Sequence, residues 1–219
     1  MVGDEFTSDL VAHRRSLWDY YDRRVTDRPP GFDNAHAYWT GLGVEVEIAD
    51  IAYEAGLLTN KLGELSPVPF VEVGAGPGTF TSLVPGPGIA LDQSRRALEV
   101  LRGQVPGVPA VQADALRLPL PDHAVVRFFS SHLYGLLLPS ERRGFLAEAH
   151  RVASELVLVD AARPKGVRAE EWQERRLPDG GTFKVFRRHF DADVLAAEVG
   201  GVVLFAGRFY VLVSVESSE

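Results

Sequence analysis

No cysteine occurs anywhere in the 219 residues. The chain therefore has no disulfide framework, no thiolate nucleophile and no sulfur-ligated metal site. Long apolar runs are missing as well: none approaches the roughly 20 residues that span a bilayer. The first ten residues carry Asp4, Glu5 and Asp9 where a signal peptide would be basic and then apolar. A cytoplasmic protein with no membrane partner is the expectation. Basic residues are in deficit, 23 Lys and Arg against 30 Asp and Glu, for a net charge of -7. Such a balance works against a polyanionic partner, because phosphate binding leaves a basic footprint, and no nucleic acid is expected. Arg175, Arg176, Lys184, Arg187 and Arg188 cluster in sequence, either as a local basic patch or as the solvated face of a charged strand or loop. Fixed-period repeats and low-complexity linkers are absent too.

What is present is an alternation of short apolar runs and helical patterns from Pro69 onward. That order is the mark of βα units and a mainly parallel sheet. Strands are predicted at 70–73, 88–92, 108–112, 124–130 and 155–160, the third at an edge because Pro109 lacks a ladder donor. Helices are predicted at 95–102, capped by Ser94, and at 140–152. The fifth run is apolar almost throughout, which suits burial on both faces. Asp191 caps a short helix that Gly200-Gly201 ends, and the runs 202–205 and 209–215 read as a β-hairpin. The first 60 residues differ. Phe6, Leu10, Leu17 and Tyr21 recur at helical spacing, and a second helix is predicted from about Val44 to Leu57. Between them the turn-rich Arg28-Pro29-Pro30-Gly31-Phe32 suits a hinge. The division expected is a helical lid at 1–60 and a ligand-binding domain at 61–219, together one compact unit.

The first strand runs into three glycines at alternate positions, Gly74, Gly76 and Gly78, followed by a predicted helix. Residues without a Cβ let the backbone turn sharply and approach a ligand, and a helix N-terminus would add unpaired N–H groups. Dinucleotide sites use the same device with G-x-G-x-x-G spacing, in which Thr79 occupies the last glycine's place. A nicotinamide-dependent oxidoreductase is the weaker reading for that reason. The pattern acidic-x-G-x-G-x-G from Glu72 to Gly78, with Asp92 closing the second strand and Asp114-Ala115 following the third, resembles class I S-adenosylmethionine-dependent methyltransferases. The segments Ser131 to Ala161, Glu171 to Arg175 and Gly207 to Tyr210 are similar to bacterial small-molecule members of that group.

The resemblance implies a Rossmann-like α/β fold with a seven-stranded sheet, mostly parallel and ending in an antiparallel hairpin. It implies S-adenosylmethionine as cofactor, S-adenosylhomocysteine as product, and contacts from Glu72, Gly74, Ala75, Gly76, Gly78, Asp92, Gln93, Asp114, Ala115 and Ser130. Within it, Glu72 helps hold the ammonium, Asp92 accepts the ribose hydroxyls and Asp114 reads the adenine amino group, while Tyr21 follows the lid tyrosines of relatives. Cysteine-dependent methyl transfers, to cytosine C5 or to arsenic, are excluded by composition. The acceptor would be a small molecule methylated on oxygen or nitrogen, less readily on carbon. Residues after the fourth strand face the donor, with His132 the candidate general base and Tyr134 beside it. Tyr20, Trp39 and Trp172 are candidate aromatic walls, and His36 a candidate pocket residue. An Asn-Pro-Pro-Tyr signature is lacking, which argues against adenine or amide nitrogen. A G-x-S-x-G elbow is lacking, which argues against a hydrolase built on Ser130, Ser131 and His132. No carboxylate cluster suggests a metal, and none is expected. A cofactor-binding protein without transfer stays open, since fold does not determine function.

Overall fold

Residues 2–27 and 32–216 are described by the structure, a computed structural model, with side chains from 13 to 25 and from 33 to 216. The hinge predicted at Arg28–Gly31 lies outside the described residues, as do the side chains of Phe6 and Leu10. Three helices come first, α1 (Val2–Asp27), α2 (Phe32–Gly41) and α3 (Ile48–Gly63). Then follow β1 (Phe70–Val73), β2 (Gly88–Asp92), α4 (Arg95–Gln104), β3 (Ala110–Gln112), β4 (Val125–Ser131), α5 (Pro139–Val152) and β5 (Ala153–Ala161). The remainder is β6 (Glu170–Arg176), β7 (Thr182–Arg188), α6 (Ala192–Val199), β8 (Val202–Ala206) and β9 (Tyr210–Glu216).

Seven strands form one sheet in the order β3-β2-β1-β4-β5-β9-β8, parallel from β3 to β5 and antiparallel at β9 and β8. This is the seven-stranded, mostly parallel sheet with a closing antiparallel hairpin that the resemblance implies. The order reverses between β1 and β4, which is where an open α/β sheet leaves a crevice at its carboxyl ends. Alternate residues of β4 and β5 explain the two cores. Phe128, Leu156 and Leu158 pack with Phe145 and Leu195 from α5 and α6, while Phe129, Val157 and Val159 pack with Leu58 and Leu62 of α3. The edge strand β3 leaves Val111 exposed.

Local chemistry sets most boundaries. Ser94 caps α4, its Oγ accepting from the Ala97 N–H at 3.0 Å, Pro139 opens α5, and Gly200 in the left-handed region (φ 73°) closes α6. Asp191 precedes α6 without a side-chain cap, because its carboxylate is taken by Arg163 at 2.5 Å.

Two expectations need correction, the bounds of the second N-terminal helix and the helix after the glycine loop. The second N-terminal helix runs over 48–63 instead of 44–57, and α2 was not anticipated. Because α3 buries Leu58 and Leu62 beneath the sheet, a boundary at residue 60 would cut an element of the core. No α-helix follows the glycine loop: residues 79–83 form turns, since only nine residues separate Gly78 from β2 and they include Pro85, Gly86 and Pro87. In addition, β6 and β7 pair as a separate antiparallel hairpin on which α1 packs, Leu17 and Tyr20 meeting Leu177 and Val185. No described helix is long and apolar enough to cross a membrane.

Candidate active site

A cavity of about 510 Å³ opens at the carboxyl ends of β1, β2 and β4, covered by α1, α2 and the β6-β7 hairpin. Its size is that of a small-molecule site. The three glycines of the loop serve different ends. A Cβ on Gly74 (φ 76°) would lie 2.7 Å from Leu133 Cδ2, and one on Gly78 (φ 92°) would press on Leu101 and Val105. Gly76 (φ 54°) has nothing within 4 Å, because it faces the cavity. Gly78 thus seats the loop on α4 and is not part of the cavity wall.

Asp92 joins loop to cavity. Its Oδ2 accepts from the Gly76 N–H at 2.8 Å and its Oδ1 from the Ser94 N–H at 2.7 Å. Each oxygen keeps one lone pair for a ligand hydroxyl. Burial pushes this carboxyl upward against the Ser94, Gly76 and Gln93 amides, which favour its charged form. Gln93, Asp114 and Ala115 continue the same wall, and Ala75 and Tyr21 line it as well. Across it, Arg14 of α1 bonds Asp114 at 2.6 Å and Glu141 at 3.2 Å, and Asp22 accepts from Ser94 Oγ at 2.7 Å. The first helix is therefore fastened to the residues that end β2 and β3.

Glu72 lies elsewhere than its motif suggests. It is fully buried behind the loop, absent from the cavity wall, and bonded to the hydroxyls of Thr81 (2.5 Å) and Ser131 (3.5 Å). Burial pushes its carboxyl up to about 8, which favours the neutral form. The linkage has a sign: between the ordinary carboxyl range and about pH 8 the folded state holds a proton that the unfolded chain has lost, so stability falls as pH rises through that window. The denaturant midpoint of the wild type, measured against that of Glu72→Gln at the same pH, should drop from pH 5 to pH 8, because only the wild type carries this linkage. Parallel profiles would refute the assignment.

At the other end of the cavity stand Tyr38, Trp39, Ser131, His132, Arg175, Arg187, Phe209 and Tyr210. His132 is in the left-handed region (φ 55°), uncommon for a non-glycine residue and shared here with His123 (φ 53°), which is absent from the cavity wall. Phe80 and Tyr210 meet its ring edge-on, at 5.6 and 5.8 Å. Nδ1 faces Arg187 at 3.5 Å and Asp160 Oδ1 at 3.8 Å. Arg187 in turn donates to the His132 carbonyl (3.2 Å) and to Asp160 (2.8 Å). Asp160 is fully buried. Burial alone would raise its carboxyl, yet Arg187 and His132 hold it below the usual carboxylate range. Tyr38 Oη lies 2.6 Å from Nε2 of His189. Burial lowers His189 to about 4, and its Nδ1 is 3.0 Å from the Arg168 carbonyl. A neutral ring with Nδ1 donating leaves Nε2 as acceptor, so the Tyr38 hydroxyl is the donor.

Residues 71–155 match the family whose description is methyltransferase domain. That matched span runs from β1 to the start of β5 and is the methyltransferase-domain part of the chain. No curated protein matches the sequence. Among solved structures, DhpI in complex with SAH is similar at TM-score 0.69 and 18% identity, covering 94% of this chain and 97% of that one. The glycopeptide N-methyltransferase MtfA with sinefungin is similar at TM-score 0.53 and 20% identity, covering 75% and 93%. The PH0226 protein from Pyrococcus horikoshii OT3 is similar at TM-score 0.58 and 12% identity, covering 83% and 96%.

Several residues expected at the site stand away from it. Tyr134 is buried against Phe145 and Phe190, its hydroxyl donating to Glu198 at 2.7 Å. Burial and Glu198 push that phenol well above its ordinary range, so it is neither exposed nor ready to ionise. Ser130 is buried, bonded to the Val73 carbonyl at 2.7 Å, because alternate residues of a strand point to opposite faces and Ser131 takes the cavity side. His36 is absent from the cavity wall, which α2 builds with Asn34, Ala35, Ala37, Tyr38 and Trp39. Trp172 is exposed on the outer face of β6, edge-on to His13 and Phe186. Tyr20 does reach the wall. Sequence reasoning missed Tyr38, Asp160, Arg187 and His189. The basic cluster divides by strand alternation, Arg175 and Arg187 turned to the cavity while Arg176 and Arg188 pair with Glu174 and Glu198. That alternation was the one signal available.

Proposed function

We propose that the chain transfers the methyl group of S-adenosylmethionine to an oxygen or nitrogen of a small-molecule acceptor. The observation that carries the reading is the Asp92 carboxylate, locked to the Gly76 amide and turned with the loop into the cavity. Gly74, Ala75, Gly76 and Tyr21 would hold the methionine end, Asp92 and Gln93 the ribose, and Asp114 with Ala115 the adenine. When bound, this cofactor supplies an activated methyl group on a sulfonium. The chain's contribution is then mainly alignment, which can supply much of the barrier reduction. Trp39, Phe209 and Tyr210 confine an acceptor next to His132. In the tautomer that carries its proton on Nδ1, toward Asp160 and not accepting from Arg187, His132 would offer Nε2 to take a proton from the acceptor, with Asp160 as its positioning residue. Helices α1 and α2 serve as the lid over a core that begins with α3. A soluble acceptor fits a site enclosed on this scale, and a cytoplasmic setting fits its cofactor supply.

The test is incubation with methyl-labelled cofactor and a metabolite extract, read by mass spectrometry. The expected result is S-adenosylhomocysteine together with one or more labelled compounds. Tight cofactor binding without any transfer over a broad acceptor panel would overturn the catalytic reading.

A further inference from the structure

We propose that the acceptor is an oxyanion, a carboxylate or a phosphate ester, whose charged group docks on Arg175. This rests on the methyl-transfer reading and names the substrate class for it.

The starting point is a mismatch of charge. A chain of net charge -7 lines its main cavity with four arginines, Arg14, Arg24, Arg175 and Arg187. Two are neutralised, Arg14 by Asp114 and Glu141 and Arg187 by Asp160. Arg24 lies on α1 over the ring of Tyr21, at the lid. Arg175 has no ion pair with any carboxylate among the described residues, although it stands in the cavity wall. Glu171, the acid on the same face of β6, is instead engaged by the Gln173 amide.

Arg175 is also held in place. Its guanidinium sits 4.9 Å from the centre of the Tyr38 ring and donates to Gln173 Oε1, and Tyr38 is itself tied to His189. A stacked guanidinium loses little freedom on pairing and presents its remaining N–H fork to a carboxylate or phosphate. The carboxylates of the wall, Asp92, Asp114 and Glu141, belong to β2, to the residues after β3 and to α5. The one acid behind His132, Asp160, is buried and already paired. A sulfonium donor adds a further positive charge. The other arginine at this end of the wall, Arg187, is already balanced by Asp160, so Arg175 and the sulfonium leave a local positive charge that an anionic acceptor would balance. Trp39 and Phe209 provide the apolar surface for its body.

Calorimetry on the full chain separates the possibilities. S-adenosylhomocysteine is titrated first, and failure of the wild type to bind it would defeat the cofactor reading itself. Benzoate, phenyl phosphate and neutral benzamide are then titrated into the saturated protein. The expected result is that at least one oxyanion binds about tenfold or more tighter than benzamide, the scale of one charge-assisted hydrogen bond. Arg175→Met should erase that preference and leave S-adenosylhomocysteine affinity within about twofold, while Arg175→Lys should keep part of it. Three results overturn the proposal: no oxyanion preference in the wild type, a preference that survives in Arg175→Met, or a loss of S-adenosylhomocysteine affinity in that variant, which would assign Arg175 to the cofactor's own carboxylate.

Discussion

Asp92→Ala should weaken S-adenosylhomocysteine binding by at least about 100-fold, as read by calorimetry on the folded variant. The magnitude follows from what one carboxylate does at once. It offers a lone pair on each oxygen to a ligand diol, and hydrogen bonds to a charged group are worth about 1.5–3 kcal/mol each. It also holds the Gly76 and Ser94 amides, so its loss loosens the loop that should approach the ligand. Burial already penalises this charge, with only backbone donors to offset the penalty, and hydroxyl donors from a ligand would complete its solvation. Asp92→Asn is a sharper probe, since its amide would direct N–H toward one of the backbone N–H groups. An affinity within threefold of wild type in both variants would remove Asp92 from the site.

The second large effect concerns stability. Asp160→Ala should cost about 3–5 kcal/mol in denaturant unfolding, the usual penalty for leaving a buried charge without its partner. The charge stranded is Arg187, which is buried and turned toward Asp160 and the His132 carbonyl. The Gly135 N–H would also lose its acceptor, 2.7 Å away. Replacing both partners, as Asp160→Ala with Arg187→Met, should recover most of the loss, because the desolvated cation is gone. A double variant no more stable than the single one would show that Asp160 acts through its other bonds. The native carboxylate is held below the ordinary range, so its contribution is present at neutral pH and is lost as pH falls through the folded-state value.

The two ends of the cavity were unequally legible. The loop end of the cavity was legible: a strand that ends in glycines, an acid at the end of the next strand and another after the third all line it, as the resemblance implied. Residues of that kind act within a few positions of a strand end, so spacing places them. Gly78 and Glu72 show the limit, since a motif position does not say whether a residue faces the ligand or the packing behind it. Gly78 meets Leu101 and Val105, and Glu72 meets Thr81 and Ser131. The acceptor end was hardly legible. Tyr38, His132, Asp160, Arg175 and Arg187 come from five separate elements or loops, and Tyr38 and His189 are 151 positions apart. Tyr134 looked like a site residue because it follows β4 closely, but a short 3₁₀ turn at 134–136 carries its ring into the core.

Sequence alone determined the βα order from Pro69, a mainly parallel sheet and the glycine loop after its first strand, because hydrophobic periodicity and glycine placement are properties of neighbouring residues. Only the tertiary structure decided which charges face the cavity and which pair elsewhere. The choice depends on how the β6-β7 hairpin folds back over β4 and β5, placing Arg187 on Asp160 and Arg175 on Tyr38. Contacts of that range are set by packing, and a linear pattern does not encode them.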